Sequence, residues 1–476
     1  MSLRTFAMVV SIASVGLASL AADPATAPPP VLVLRGATLI DGTDRPPRPD
    51  AIVIVQNGWI TAVGGTELAI PAGARVLDLH GRYLLPGFIE MHGHVAIGAW
   101  ELDTTGGSPK LRYAYDDSAS RELTRSELAF GITTVRNPAG PTMEAVLVRD
   151  RVRWGEWAGP RIITAGAPLD APGPVTAVDG VSTEAEARAA VARQAEAGVD
   201  FIKLYSGLDS SLVAAALDEA HARGLTAVGH LWKTSWTDAA RAGIDGITHI
   251  IVNNEKLLPA SKRAEYAKTI PSGLFMFDWF RHADFDGPEI RDMLATLVAR
   301  HVTLDPTLVA FEMTAWWNVP DHYPAESGDY TPPSFAPKWK QMNDLRAWSA
   351  ADYAAARAQF PRMLELARRL HEAGIKLTVG IDAGNPWFFH RELELLAQAG
   401  IPNADVIRMA TRNAALGLGR ITELGTVEAG KRADLVVLGA DPIADIRNTR
   451  RIVWVIQGGE PEPPAAFLPE RLTGKR

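Results

Sequence analysis

Two histidines one residue apart, His92 and His94, close the apolar run Leu84-Leu85-Pro86-Gly87-Phe88-Ile89-Glu90-Met91. In a β-strand, side chains alternate between faces, so residues two apart point the same way. Both imidazoles then reach one point at the C-terminal end of the strand, and a pair of neutral imidazoles suits a divalent ion such as zinc. Taken alone, the pair reads equally well as two histidines on a surface loop. Further polar groups close later apolar runs: Lys203 within Phe201–Tyr205, His230 after Thr226–Gly229, His249 after Gly246–Thr248, and Asp382 after Thr378–Ile381. The chain has no cysteine, which removes disulfides, a thiol nucleophile and thiolate metal sites. A metal must be held by His, Asp, Glu or a modified Lys.

The elements that position these groups fall into two kinds. From Val31 to about Leu85 the pattern is strand-like. Ala51–Val55 and Trp59–Val63 flank Asn57-Gly58, which tolerates the positive φ angles of a type I′ hairpin turn. Arg75–Leu79 adds a short strand. From Leu84 onward, strands alternate with helices. The strands expected are Phe88–His92, Ile132–Arg136, Arg161–Ala165, Phe201–Tyr205, Thr226–His230, Gly246–His249, Val302–Leu304 and Leu377–Ile381. Helical spacing marks Glu184–Ala197, opened by a Thr183-to-Glu186 capping box, and Leu212–Ala222, Glu289–Arg300, Ala350–Ala373 and Ala404–Leu416. Eight such strands fit an α/β fold, a (β/α)8 barrel, whose active groups sit at the C-terminal strand ends. After Gly419 short strands return at Ala433–Leu438 and Arg451–Gln457, and both chain ends are expected to share one β domain. The stretch Val309–Trp348, rich in Pro and aromatics, is expected to be an irregular lid or binding loop.

The composition is that of an ordinary globular protein: 476 residues, 47% hydrophobic and 22% charged, with a formal net charge of −7. Mild acidity without a basic run argues against a nucleic-acid partner. Met1–Arg4, the apolar or small run Phe6–Leu20 and the small residues up to Ala22 read as an export signal, too short for a comfortable membrane span. The expectation is a secreted or periplasmic protein whose mature chain begins near Ala22 or Asp23. It would have no membrane insertion once the signal is removed, and Ala22–Pro30 would be a disordered leader.

The ordered motifs LLPGFIEMHGHV, GITTVR, DFIKLYSG, HRELELLAQAGIP, ATRNAALGLG and LGTVEAGKRADLVVL resemble the amidohydrolase superfamily, in its imidazolonepropionase-like and prolidase-like branch. The resemblance spans nearly the whole mature chain. It implies a distorted (β/α)8 TIM barrel over 86–420 beside a β-sandwich built from 23–85 and 421–476, after a signal peptide at 1–22. It further implies two divalent ions, with zinc expected. His92, His94 and Asp382 would hold the more buried ion and His230 and His249 the second. Lys203 would be carboxylated to a carbamate bridging both, since an ammonium cannot ligate a cation. A hydroxide shared by two cations is deprotonated near neutral pH, and Asp382 would take its proton and pass it to the leaving group. If Lys203 stays an ordinary lysine, a mononuclear site would use His92, His94, His230 and Asp382.

The chain departs from that family where substrate is recognised. Thr248 precedes His249 where many members have Glu, and His230 is followed by Leu231-Trp232-Lys233. Tyr205 shares the face of Lys203 and is a candidate hydrogen-bond partner for substrate, and Lys233 a candidate partner for a substrate carboxylate. Eight of the 13 tryptophans lie between Trp232 and Trp387, where they would line an apolar pocket or pack loops onto the barrel. His390 is expected to cap or support a helix start. His80, His221, His282, His301, His322 and His371 are assigned no chemistry, and Asp245 and Asp305 are read as turn or strand-end residues. The activity expected is hydrolysis of a C–N bond in a dipeptide or N-acyl amino acid. A cyclic amide comes second, and an ester, lactone or phosphotriester third. A non-catalytic periplasmic binding protein is the alternative from another class. The partner is a small-molecule substrate, and homo-oligomerisation stays open.

Overall fold

Hydrophobic alternation sets the registers of the β domain. The strands Arg48–Gln56 and Trp59–Gly64 pair antiparallel. Between them Asn57 and Gly58 have φ of 53° and 77°, the two positive angles that a type I′ turn requires. The computed structural model describes residues 31–96, 99–103, 110–173, 177–270, 273–337, 340–341 and 346–473. The expected export signal and the Ala22–Pro30 leader lie outside these residues. Both ends of the chain meet in one eight-stranded sheet, where Tyr83–Pro86 pairs with Leu32–Leu39 on one side and Leu435–Leu438 on the other. Alternate residues divide its faces. Leu84, Leu435 and Val437 join Leu34, Val53 and Val55 in the core of the β domain, whereas Leu85, Val436 and Leu438 turn into the core of the barrel.

The barrel strands are β1 (Phe88–Glu90), β2 (Ile132–Asn137), β3 (Arg161–Thr164), β4 (Phe201–Leu204), β5 (Thr226–Gly229), β6 (Gly246–Thr248), β7 (Thr303–Asp305) and β8 (Lys376–Leu377). They form two parallel arcs, β1 to β3 and β4 to β8. Only a few hydrogen bonds close the cylinder. The Met91 N–H donates to the Val379 carbonyl at 2.8 Å and the Asp382 N–H to that of His92 at 3.0 Å, while across the other seam Asp200 N–H donates to the Thr164 carbonyl at 2.8 Å. This is the distortion of the barrel.

The eighth strand was expected over Leu377–Ile381, but its ladder ends at Leu377. Beyond the ladder Thr378–Asp382 is held in place by its ends, the Thr378 N–H donating to the Leu304 carbonyl of β7 and the Asp382 N–H to that of His92 after β1. Gly380 permits the approach: a Cβ there would lie 2.7 Å from the His92 Cβ. The expected loop Val309–Trp348 is also more ordered than its composition suggested. It opens with the helix Leu308–Ala315 and holds a 3-10 turn at Ala325–Tyr330. The Glu392 carboxylate accepts the Leu308 and Val309 N–H groups at 2.9 and 2.7 Å, supplying the N-terminal acceptors that a helix needs. A hairpin of Ala99–Asp103 and Lys110–Ala114 comes after β1, unannounced by any sequence signal. The capping box at Thr183 and Glu186 forms as its spacing predicts.

Candidate metal centre

All six predicted metal ligands lie at or just past the C-terminal ends of barrel strands. β1 stops at Glu90, and one Glu90 oxygen accepts the N–H groups of His92 at 2.6 Å and Ile381 at 3.0 Å. That bond ties the His-x-His turn to the end of β8. His94 Nε2 lies 2.7 Å from Asp382 Oδ1, and His92 Nε2 lies 3.5 Å from the same oxygen. His249 Nδ1 is 3.8 Å from Asp382 Oδ2 and 2.8 Å from the Thr307 hydroxyl. The His230 ring centroid is 4.3 Å from that of His249. Lys203 Nζ donates to the Thr248 hydroxyl at 2.8 Å, so the threonine standing before His249 holds the lysine.

Three residues of the cluster escaped the sequence reading as parts of a site. Asp305, read there as a strand-end residue, is buried and accepts from His92 Nδ1 at 2.7 Å. Donation from Nδ1 leaves the Nε2 lone pair facing Asp382, the usual way a carboxylate orients a ligating imidazole. Arg136 pairs with the other Asp305 oxygen and donates from Nε to the Met91 carbonyl at 2.7 Å. Arg136 ends the motif GITTVR and Glu392 lies in HRELELLAQAGIP, so the motifs held them without revealing their partners. Asp305 had no such signal. His390, expected at a helix start, is the fourth residue of the helix Trp387–Gln398, with Nδ1 3.0 Å from the Thr449 hydroxyl and away from the cluster.

The backbone is strained where these groups converge. His249, Thr307 and Asp382 have φ of 71°, 50° and 51°. For residues with a Cβ, each such angle costs on the order of 1–3 kcal/mol, and such residues gather at functional sites. Glu392 anchors the two N–H groups after Thr307 and so helps hold the hydroxyl that meets His249.

Burial favours the neutral form of three of the histidines. It lowers the pKa of His92, His230 and His249 well below the ordinary histidine value, leaving neutral rings with free lone pairs. Burial also lowers Lys203 to about 7 and raises Asp305 to about 6. His94 Nδ1 and His230 Nε2 are buried without a hydrogen-bond partner, each a cost of about 1–3 kcal/mol. His92, His249 and Asp382 each offer one ligand atom, all within 4.8 Å of one another. Nitrogen and carboxylate donors at such spacing fit a divalent ion.

Aromatic rings wall the mouth. Tyr205 and Trp232 stand 4.7 and 5.6 Å from the His230 ring, and Phe275 lies 4.8 Å beyond Trp232. Phe311 lies 6.2 Å from His249. Other members of the tryptophan-rich region pack the scaffold: Trp236 and Trp279 are fully buried, and Trp316 stacks on His322. Trp339 lies outside the described residues. Lys233 is exposed, its ammonium 3.7 Å from Asp209.

Comparison with known proteins agrees with this geometry. The sequence profile of the amidohydrolase family matches residues 83–460. A curated dihydroorotase from Trichlorobacter lovleyi is 33% identical over 108 residues, 22% of this chain and 21% of that protein. The chain thus matches about a fifth of the length of that relative. Among solved structures, an Xaa-Pro dipeptidase with bound methionine superposes with a TM-score of 0.67 at 20% identity, covering 91% of this chain and 100% of the other. A putative prolidase from Bifidobacterium longum gives 0.65 at 25% identity, covering 91% and 94%. A bottromycin amidohydrolase gives 0.67 at 23% identity, covering 91% and 87%. With the family profile spanning most of its length and the barrel, strand-end histidines and Asp382 arranged as described, this chain belongs to the amidohydrolase family.

Proposed function

We propose that this protein is a metal-dependent hydrolase that cleaves the C–N bond of a dipeptide or an N-acyl amino acid. The observation that carries the reading is the approach of His92, His249 and Asp382 to within 4.8 Å, in a pocket where burial keeps the imidazoles neutral. His94, His230 and Lys203 complete the ligand set, for two ions of the zinc class. A divalent ion bound there supplies a water that ionises near neutral pH and polarises the scissile carbonyl. Asp382, already bonded to His94, takes the proton of the attacking water and returns it to the leaving nitrogen. Asp305 and Arg136 keep His92 in one tautomer. The aromatic wall excludes water and receives the substrate's apolar part, with the Tyr205 hydroxyl as a hydrogen-bond partner. Lys233, at the rim, would exchange Asp209 for a substrate carboxylate.

Lys203 is suited to carboxylation. An amine with a pKa of about 7 is largely neutral at pH 7.5, and the neutral nitrogen adds to carbon dioxide, forming an N–C bond and releasing a proton. The resulting carbamate would accept a hydrogen bond from the Thr248 hydroxyl, which now accepts one from the ammonium or amine. The composition of residues 1–22 supports export, which would place the enzyme where peptides are available. A cyclic amide is the second reading, favoured by the stretch similar to a dihydroorotase.

Metal analysis of the purified protein, followed by a panel of dipeptides, N-acyl amino acids and cyclic amides, tests the reading. Two equivalents of metal and turnover of a linear amide are expected. A protein that takes up no zinc, or that takes it up and turns over none of the panel, ends the proposal. Lys203→Ala is expected to lose one of the two ions and most of the activity; a variant with full metal content would show that Lys203 is no ligand.

A further inference from the structure

At the opposite end of the barrel, the N-terminal ends of β3 and β4 and the C-terminal part of the β domain line an open cavity of about 480 Å³. Arg149 and Arg153, at the end of the helix Thr142–Arg153, face it together with Arg161, Arg420 and Arg432. Only two carboxylates, Asp200 and Glu423, line the same wall. Asp150 and Asp434 pair with Arg149 and Arg161. Counting them as well leaves five guanidinium groups against four carboxylates.

The pairing is also loose. Arg149 alone is well bonded, donating to Asp150 at 2.9 Å and Asp200 at 3.0 Å. Arg161 reaches Asp434 at 3.5 Å while its Nε is buried without a partner. The Arg432 guanidinium lies over Trp59, 4.0 Å from the ring centroid, and its buried Nε has no hydrogen-bond partner, the Glu423 carboxylate being 3.7 Å away. Glu423 must also serve Arg420, at 3.6 Å. Among the described residues, Arg153 makes no ion pair. Guanidinium donors that are fixed in place yet short of acceptors match an oxyanion that takes two parallel N–H bonds. The buried and unpartnered oxygen of Gln457 lines the cavity too, and with Glu423 it offers acceptors for hydroxyl groups. The cavity is much larger than a bare phosphate.

We propose that this basic cavity between the barrel floor and the β domain binds a phosphomonoester of a small hydroxylated molecule, with Arg161 and Arg432 on the phosphoryl group. Nothing in this assignment depends on the reaction at the barrel mouth.

Calorimetric titration of the full-length, zinc-loaded protein at low salt tests it, with ribose 5-phosphate, inorganic phosphate and ribose as probes. Ribose 5-phosphate is expected to bind at least tenfold more tightly than phosphate, and ribose not at all. Arg432→Gln and Arg161→Gln are each expected to weaken ribose 5-phosphate at least tenfold. Should either variant lose its fold by circular dichroism, the double variant of the exposed Arg153→Gln and Arg420→Gln provides the reading, with at least threefold weaker binding expected. Absence of binding by every probe overturns the proposal, as does phosphate binding as tightly as its ester. Affinity unchanged in the folded variants does so too, because the probe would then sit at the metal centre or elsewhere.

Discussion

The two ends of one barrel treat charge in opposite ways. At the mouth, burial drives His92, His230 and His249 to their neutral forms and brings Lys203 to about 7 and Asp305 to about 6. At the floor, three of the five arginines, Arg161, Arg420 and Arg432, are partly exposed and loosely paired with carboxylates at 3.5–3.7 Å. The same short parallel strands run between them. What differs is the depth of the ionisable groups and the chemistry of their type. A buried imidazole or amine gives up its proton to become a lone-pair donor, whereas a guanidinium cannot be deprotonated and remains a fork of N–H donors. One end is thereby prepared for a cation and the other for an anion.

Substitutions can break this contrast, and the largest effect belongs at the mouth. Asp382→Asn keeps the size of the side chain and removes the base, so turnover should fall by about 10²–10⁴-fold with the melting temperature nearly unchanged. A fully active variant would remove Asp382 from proton transfer. Asp305→Asn leaves Arg136 without its anion and frees the His92 tautomer. A loss of about 10–100-fold in metal affinity is expected, read by competition with a chromophoric chelator; unaltered affinity would reduce Asp305 to a packing residue.

A smaller effect tests burial itself. Glu127, in the helix Asp117–Ala129, is buried near Gly93 with its pKa raised by desolvation to about 8. Between the ordinary value of 4.5 and about 8 the folded form holds a proton that the unfolded chain has released. That contribution to stability is therefore complete at low pH and is lost as pH rises through the window, by up to about 1.4 kcal/mol per unit. Glu127→Gln lacks the titration, so urea denaturation should show the variant gaining on the parent protein between pH 5.5 and 7.5. A constant difference would mean that Glu127 is ionised in the fold. The smallest effect belongs at the floor, where Arg420→Ala, in a half-exposed pair with Glu423, should change stability by less than about 1 kcal/mol in phosphate-free buffer. A larger loss would mean that the floor pairs are structural after all.

Much of the mouth was legible because periodicity and position suffice for it. The apolar runs predict the barrel strands within a few residues, and the polar groups at their C-terminal ends are His92, His94, Lys203, His230, His249 and Asp382. The β hairpin was equally legible, since Asn57-Gly58 specifies its own backbone angles. Asp305 was not, because a lone aspartate after a three-residue strand has the same local signature as a turn residue. Its partners, His92 just past β1 and Arg136 in β2, lie far away in sequence. The Val309–Trp348 stretch misled for a related reason: its first helix depends on Glu392, an acceptor contributed from over eighty residues downstream. The sequence alone thus determined which residue types stand at the strand ends and the local geometry that short-range spacing dictates. Only the tertiary structure decided which of them meet, how deeply they are buried and which protons they keep, since desolvation and pairing across the barrel arise from residues that the chain keeps far apart.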